Sequence, residues 1–368
     1  MCKTFEFPGF IDVHVHFRDP GVPAAETTAS GLLAASKGGF AAVVTMPNTA
    51  PACDSPESLS YQCEAARRSG SKTVLLPSAC ITKGRLGLEV ADLETLAEAG
   101  AAFFTDDGSY VANDKVMEEA MRRAARLGVC VCQHAMDPVK VGNGVIRDCE
   151  LARLHNMPVI PVSAETVAIR RDLSICRVTG CRLHVQHIST AEGVSLVRDA
   201  QKEGLPVTAE ATPHHLLLSC EEIPGDDANY KMAPPLGNNE DRAELRRAVK
   251  DGALMFATDH APHPAATKAR GFVGSANGII GLETAIPLTW KVMVEDEGMS
   301  PEAWARAWWK MPRDILSPSA VARLDVARST IVEVGEWRAV EVARFSSLSR
   351  NCPYDGFESN CWPKEISG

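Results

Sequence analysis

Residues 10–20, Phe-Ile-Asp-Val-His-Val-His-Phe-Arg-Asp-Pro, predict an apolar β-strand that carries two histidines and an arginine at alternate positions. Because successive side chains of a strand point to opposite faces, we expect His14, His16 and Arg18 to share one face. Imidazoles near a strand end can bind one metal ion, and a guanidinium beside them can bind a carboxylate through two hydrogen bonds. Taken alone, a His-x-His pair is more often structural, so its interpretation depends on the rest of the chain.

The composition is that of an ordinary globular protein, with 45% hydrophobic and 23% charged residues in 368. A net charge of −9 argues against a nucleic-acid or anionic-membrane surface, because such surfaces need clustered Lys and Arg. The 12 cysteines are scattered and form no Cys-x-x-Cys pair, so we expect reduced thiols. The sequence shows neither a signal-peptide pattern nor an apolar run of about 18 residues, which predicts a cytoplasmic protein.

Short apolar strands alternate with helices along most of the chain. Eight strand patterns occur, from 10–20 to 253–259, and helices are predicted between them, among others over 56–69, 114–127 and 163–179. Strands that are apolar throughout are typical of a sheet buried on both faces, and eight βα units favour a closed barrel over an open sheet. We therefore predict an α/β fold with a (β/α)₈ TIM barrel. The predicted domains are the barrel over 8–312 and a C-terminal extension over 313–368, in which 330–343 alternate weakly as in a small sheet.

Metal-binding residue types recur at the ends of these predicted strands. In (β/α)₈ barrels, side chains at the carboxyl ends of several strands converge on one site. Four imidazoles and two carboxylates suit two zinc-like ions with one bridging carboxylate, and two such ions about 3.5–4 Å apart can activate a shared hydroxide. The six predicted metal-binding residues are His14, His16, Asp107, His134, His187 and Asp259.

Each of these residues has a structural alternative when it is considered singly. Asp106 is better explained as a cap or turn residue, and Asp107 beside Gly108 could be another. The period of two predicts that His184 points to the face opposite His187, towards the helices. His184 and the remaining histidines, His155, His214, His215 and His260, are interpreted as structural, and contact with the metal ligands stays open for His214 and His215, which follow the seventh strand at the same rim.

The stretch Asp259-His-Ala-Pro-His263 adds a proton carrier and a donor. Asp259 can bind a metal ion and still take a proton from the activated water, which it then passes to a leaving nitrogen. His263 follows on a proline-constrained loop and can donate to a substrate. We therefore predict that Asp259 is catalytic as well as a ligand.

Several motifs occur together: Phe17-Arg-Asp-Pro20, Met46-Pro-Asn-Thr49, Phe104-Thr-Asp-Asp-Gly108, Gln186-His-Ile-Ser-Thr190, the stretch 259–263 and Gly278-Ile-Ile-Gly-Leu-Glu-Thr284. Together they resemble the type I dihydroorotases of the amidohydrolase superfamily, over about residues 8–357. The resemblance implies reversible cyclisation of N-carbamoyl-L-aspartate to L-dihydroorotate in pyrimidine biosynthesis. In the hydrolytic direction, a hydroxide bridging two Zn²⁺ ions would attack the ring amide while Asp259 shuttles the proton.

The same resemblance implies a role for each site residue. Asp107 would bridge the ions where other relatives use a carboxylated lysine, and the two ions would be bound by His14, His16 and Asp259 on one side and by His134 and His187 on the other. The substrate carboxylate would be bound by Arg18, Asn48 and His263. A planar guanidinium, an amide and an imidazole are chemically suited to one anion.

The sequence departs from the family pattern in three places and in one larger feature. Ala233 and Gly237 stand where relatives commonly have Asn and Arg, and Met136 stands where they usually have Glu. A ring contact and a loop anchor are therefore expected to be missing. The auxiliary β-sandwich of the family is expected to be absent or incomplete.

Two other functions stay open at this point. A hydantoinase, dihydropyrimidinase or allantoinase would share the barrel and the metals, but their substrates lack the ring carboxylate, so Arg18 and Asn48 favour dihydroorotase. A non-catalytic partner of aspartate transcarbamoylase is the other alternative, against which all six predicted ligands argue. A homodimer, and activity only in a complex with that transcarbamoylase, are also compatible with the sequence.

Overall fold

Eight parallel segments close into a barrel in the computed structural model, which describes residues 2–367. Strands β2 to β4 pair in one parallel sheet and β5 to β8 in another. Phe104 joins the two sheets by bridges to Ala79 and Val131, and His260 closes the ring by pairing with Val15. The predicted (β/α)₈ barrel is therefore confirmed. The strands are β1 Lys3–Pro8, β2 Phe10–Val15, β3 Phe40–Thr45, β4 Val74–Pro77, β5 Val131–Gln133, β6 Leu183–Val185, β7 Val207–Ala211, β8 Met255–Phe256, β9 Ser329–Ala339 and β10 Glu358–Ser367.

The fourth segment of the barrel is shorter than the strand predicted over 101–106. Among the described residues, the strand pairing of this segment consists of the two bridges made by Phe104. The Asp106 carboxylate accepts hydrogen bonds from the backbone N–H groups of Ile81 and Thr82, at 2.8 and 3.1 Å. A side chain thus replaces the strand ladder here, and Asp106 is a structural turn residue as predicted.

The helices surround the barrel, and their ends follow from local sequence. In α4, Asn113 caps the N-terminus, Gly128 ends the helix with a φ of 67°, and Met117 and Met121 lie on its buried face. The helices are α1 Thr28–Lys37, α2 Pro56–Ser69, α3 Leu93–Glu98, α4 Asp114–Leu127, α5 Pro138–Val141, α6 Glu150–Leu154, α7 Ser163–Thr179, α8 Ala191–Lys202, α9 Pro213–Leu217, α10 Asn239–Lys250, α11 Ala265–Lys268, α12 Gly271–Gly274, α13 Ala285–Thr289, α14 Pro301–Ile315 and α15 Pro318–Ala322.

Two buried tryptophans attach α14 to the barrel. The indole N–H groups of Trp304 and Trp308 donate to the same hydroxyl, that of Thr289, at 3.0 and 3.3 Å. The Trp308 ring also stacks on Phe256 of β8, with 4.9 Å between centroids. Thr289 ends α13, and a π-helical turn, Trp290–Asp296, follows where one continuous helix is predicted.

A three-stranded antiparallel sheet, in the order β1-β9-β10, lies beside the barrel. The Thr330 hydroxyl of β9 accepts from the N–H of Phe10 at 2.9 Å and donates to the carbonyl of Gly39 at 2.8 Å. These bonds join the small sheet to the starts of β2 and β3. The auxiliary sheet is thus present in a small form. The division at residues 312 and 313 stays a prediction, and α14 continues through that point to Ile315.

In the part of the chain that the structure describes, no helix is suited to cross a membrane. Within residues 2–367, every helix is too short or too polar to cross a membrane. All 12 cysteines are free, as expected of reduced thiols.

We predict that Trp308→Ala lowers the free energy of unfolding by about 3–5 kcal/mol, because it removes a buried ring from between a strand and a helix. Urea unfolding monitored by circular dichroism measures this change. Trp337→Ala is the matched control, because Trp337 is 55% exposed on β9, and we expect a change within about 0.5 kcal/mol. Equal effects of the two substitutions would contradict the packing role of Trp308.

Candidate metal and substrate site

The predicted metal-binding residues converge at the carboxyl ends of the barrel strands, with Asp107 at their centre. Its Oδ1 lies 3.3 Å from Nε2 of His14 and 3.6 Å from Nδ1 of His134, and its Oδ2 lies 3.3 Å from Nε2 of His16. Nε2 of His187 lies 3.5 Å from Oδ1. One buried carboxylate therefore faces four imidazoles, as a bridging ligand would.

Asp259 completes the cluster on the side of His14 and His16. Its Oδ1 lies 2.9 Å from Nε2 of His16 and 3.6 Å from Nε2 of His14. The ligand atoms of His14, His16 and Asp259 lie within 4.8 Å of one another, and those of His14, Asp107 and His187 form a second such group. Nδ1 of His134 lies 3.0 Å from Nε2 of His187, beside the second group.

Several of the site residues have left-handed backbone conformations, which direct their side chains into the cavity. The φ angles are 56° for Arg18, 34° for His187 and 48° for Asp259. This conformation costs a residue other than glycine about 1–3 kcal/mol, and such costs occur mainly at functional sites. A kink of this kind also breaks the alternation of a strand, so a period of two does not locate His187 relative to His184.

The prediction for His184 is accordingly wrong. Its side chain faces the barrel interior, where its Nε2 donates to Oε2 of Glu210 at 2.9 Å. The other carboxylate oxygen of Glu210 accepts from Nδ1 of His14 at 2.6 Å and from the N–H of His187 at 3.2 Å. Glu210 was not predicted as a site residue, although an acidic residue within the buried strand Val207–Ala211 is a signal that sequence reasoning could use.

Glu210 determines which nitrogen of His14 faces the cluster. Because a carboxylate only accepts, Nδ1 of His14 must carry the proton. Nε2 is then the nitrogen that faces Asp107 and Asp259 and that can bind a metal ion in place of a second proton. A carboxylate that accepts from the far nitrogen in this way is typical of metal-binding histidines.

The electrostatics of the cluster favour a bound cation. Burial lowers the pKa of His14, but Asp107, Glu210 and Asp259 outweigh it and raise that pKa well above its usual value. Burial raises the pKa of Asp259, but the charges of His14 and His16 and a hydrogen bond from His16 lower it far below its usual value. The buried site therefore holds an excess of negative charge, which either protons or metal ions must balance.

The residues present fit a metal. Within residues 2–367, His14 Nε2 and Asp107 Oδ1 are buried and have no hydrogen-bond partner. Leaving such atoms unsatisfied is costly, and imidazole nitrogens and carboxylate oxygens are ordinary zinc ligands.

A second group of predicted residues lines the same cavity of about 480 Å³. Nδ1 of His16 and Oδ1 of Asn48 lie 3.0 Å apart, and Nη2 of Arg18 lies 3.4 Å from Nε2 of His263. The His263 Nε2–H donates to the carbonyl of Asn277 at 2.7 Å. Burial, followed by the charge of Arg18, lowers the pKa of His263 to about 4, so this imidazole is neutral near pH 7.

Arg85 also lines this cavity and was not predicted. Its Nη2 donates to the carbonyl of Asp107 at 2.6 Å and to the hydroxyl of Ser109 at 3.0 Å. Arg85 thus fixes the backbone on which the central carboxylate stands. The sequence around Arg85, between Lys83 and the turn at Gly87, contains no motif that would identify Arg85 as a site residue.

The departures from the family pattern fall on the wall of the cavity and behind it. Met136 and Ala233 line the cavity and offer no hydrogen bonds there beyond their backbone. At Gly237, a Cβ would lie 2.6 Å from Cβ of Asp241 and 2.7 Å from the carbonyl of Ser189. This loop therefore packs too closely for a side chain at position 237.

Of the other histidines, His260 and His215 have structural partners, His214 is buried and its Nε2 has no hydrogen-bond partner within residues 2–367, and His155 lies on the surface. His260 donates to Glu26 at 3.3 Å and accepts at its other nitrogen from the N–H of Gly281 at 3.1 Å. His215 lies 3.1 Å from the carbonyl of Pro234. Burial lowers the pKa of His214 to about 4. His155 is exposed at the end of α6, where its structural interpretation stays a prediction.

A model of the dihydro-orotase-like family matches residues 5–193, just over half of the chain. The dihydroorotase of Geobacillus sp. (strain WCH70) is 44% identical over 358 residues, which are 96% of this chain and 84% of that protein. The chain belongs to the dihydroorotase family. The dihydroorotase of Bacillus caldolyticus, another family relative, is 43% identical over 97% of this chain and 84% of its own length. The predicted resemblance is thereby confirmed.

Solved structures agree with this membership at the level of the fold. The L-hydantoinase from Arthrobacter aurescens superposes with a TM-score of 0.82 at 24% identity, covering 98% of this chain and 83% of its own. The dihydroorotase from Saccharomyces cerevisiae in complex with 5-fluoroorotic acid gives a TM-score of 0.73 at 17% identity, covering 99% of both chains. These two similarities concern the barrel architecture alone.

We predict that Glu210→Gln lowers metal affinity about 10–100-fold, because an amide does not define the His14 tautomer as a carboxylate does. Chelator competition and elemental analysis measure the change. Asp172→Asn is the matched control: it removes another buried carboxylate, one that pairs with Arg171 at 2.8 Å and, within residues 2–367, forms no ion pair with any of the six proposed ligands. Undiminished metal affinity in Glu210→Gln would contradict the orienting role.

Proposed function

We propose that this member of the dihydroorotase family interconverts L-dihydroorotate and N-carbamoyl-L-aspartate, and that Arg18, Asn48 and His263 bind the substrate carboxylate. One observation carries the proposal: these three residues line the same cavity as the metal-binding cluster. The enzyme is a hydrolase that acts on a cyclic amide, and the carboxylate-binding residues set which cyclic amide it takes.

Arg18 supplies the charge for this recognition. Among residues 2–367, no carboxylate forms an ion pair with its guanidinium. The guanidinium contacts His263, and the negative charges of Asp259 and Asp107 act on it from a longer distance. A guanidinium that faces a cavity and has no carboxylate partner within the described residues can bind a substrate carboxylate through two parallel hydrogen bonds. The Asn48 amide offers a further donor, and His263 would contribute its single N–H by exchanging the Asn277 carbonyl for the substrate carboxylate.

The proposed cofactor is Zn²⁺, two ions per chain. His14, His16 and Asp259 would bind one, His134 and His187 the other, and Asp107 both. When bound, such ions polarise the amide carbonyl and make water a better nucleophile near neutral pH. The chain itself provides a pocket open to solvent and ligands whose directions are set by Glu210 and Arg85.

Asp259 is proposed to carry the proton. In hydrolysis, water adds to the ring carbonyl carbon and the bond from that carbon to the ring nitrogen breaks. The proton lost by water passes to the Asp259 carboxylate and then to the departing nitrogen, so the same residue acts as base and then as acid. Its low pKa, caused by His14 and His16, keeps it ionised before the reaction.

We predict that Arg18→Met lowers kcat/KM for dihydroorotate by about 100-fold or more, because the carboxylate loses its charged hydrogen bonds. Steady-state assays of dihydroorotate hydrolysis measure it, with Arg122→Met on the exposed face of α4 as the control. Dihydrouracil, hydantoin and allantoin are assayed alongside. Turnover of these neutral rings exceeding that of dihydroorotate, and unaffected by Arg18→Met, would contradict the assigned substrate.

We predict that Asp259→Asn lowers kcat by about 10²–10⁴-fold in both directions, since an amide cannot carry the proton. Metal content is measured on the same samples, because Asp259 is also a proposed ligand. Near-normal turnover in a variant that keeps its metal would rule out the shuttle. Loss of metal together with activity would assign Asp259 to binding rather than to proton transfer.

A further inference from the structure

Residues 345–352, which we call the strap, cross the rim of the barrel close to the substrate cavity. Ser347, Ser349 and Asn351 of the strap are all at most 4% exposed. The Ser349 hydroxyl donates to the carbonyl of Ala25 at 2.7 Å, and Glu26 accepts from the N–H of Leu348 at 3.2 Å. The strap is thus bonded to the loop that follows Arg18.

The other end of the strap is bonded to the loop that carries His263. Oδ1 of Asn351 accepts from the N–H of His263 at 3.2 Å. Nδ2 of the same amide donates to the carbonyls of Ala261 and Gly278, both at 3.0 Å. One buried side chain therefore satisfies three backbone groups on two different loops.

These two loops form the wall on which the His263 imidazole lies. Asn277, whose carbonyl accepts from the imidazole, immediately precedes Gly278. A Cβ at Gly278 would lie 2.5 Å from Cβ of Ala261, so the loops are in direct contact. Asn351 bonds both loops at this contact, and its own carbonyl accepts from the N–H of Ile280 at 3.0 Å.

The chemistry of the asparagine amide suits this position better than that of any similar residue. It offers two donors and an acceptor from one planar group. Aspartate has the same shape, but it would place a negative charge opposite two carbonyl oxygens. Alanine would leave three backbone groups without this partner.

We propose that Asn351 is a positioning residue for substrate binding: by joining the loops 261–263 and 277–278, it holds the His263 imidazole where the substrate carboxylate binds. The inference rests on the proposed function, since it concerns the carboxylate that Arg18 and His263 are proposed to bind. Asn351 acts through His263 and does not itself line the main cavity.

The test compares Asn351→Ala and Asn351→Asp with wild type, in the full chain loaded with metal. We expect KM for dihydroorotate to rise about tenfold or more while kcat changes less than about threefold, because binding rather than chemistry is affected. Calorimetry with orotate, an unreactive ring carboxylate, should show a matching rise in Kd. Metal content should stay at the wild-type value.

Ser349→Ala is the matched control, because it removes another buried hydrogen bond of the strap, to Ala25 instead of the His263 loop. We expect it to lower Tm by less than Asn351→Ala does, because it removes one hydrogen bond instead of three, and to leave KM within about twofold of wild type. The variants His263→Ala and His263→Ala/Asn351→Ala complete a double-mutant cycle. If Asn351 acts through His263, its substitution should change KM and Kd little in the His263→Ala background.

Each outcome separates the possibilities. Fully additive effects in the cycle, or an unchanged Kd for orotate in Asn351→Ala, would overturn the positioning role. A KM change in Ser349→Ala equal to that in Asn351→Ala would reduce the role to general stability and also overturn it. A wild-type chain that binds orotate but turns over no dihydroorotate would overturn the proposed function alone, and the orotate cycle would still decide the role of Asn351.

Discussion

A concentration of buried negative charge around His14 is the constraint on which the site depends. Asp107, Glu210 and Asp259 all act on this one imidazole, which is fully buried. Glu210 holds Nδ1 at 2.6 Å, so Nε2 is turned towards the two aspartates. Such an arrangement needs protons or metal ions to balance its charge, because buried charges must be paired. The attraction of the cluster for cations thus follows from its own charges.

The barrel makes this arrangement possible by bringing together strand ends that are far apart in sequence. His14 and Asp259 are adjacent because the ring closes through Val15 and His260. Arg18, His187 and Asp259 take left-handed backbone just beyond their strands, which turns their side chains into the cavity. The surrounding packing must hold these conformations, since they are costly in isolation.

The C-terminal part of the chain contributes to the site as well as to the fold. The small sheet is bonded to the starts of β2 and β3 through Thr330. Between β9 and β10, the strap reaches two loops beside the cavity. A segment that sequence alone identifies only as an appended remnant therefore contacts the backbone of His263, which is proposed to bind the substrate.

The sequence by itself determined the barrel, the helices over 56–69, 114–127 and 163–179, and the six residues that converge on the cluster. Hydrophobic periodicity and strand-end position are local, so they can be recognised in a linear chain. The inward side of His184 and the contacts of Glu210 and Asn351 were decided only by the tertiary structure. Glu210 lies 196 residues from His14, and Asn351 lies 88 residues from His263. A hydrogen bond across such separations depends on how the barrel closes, and no local pattern encodes that geometry.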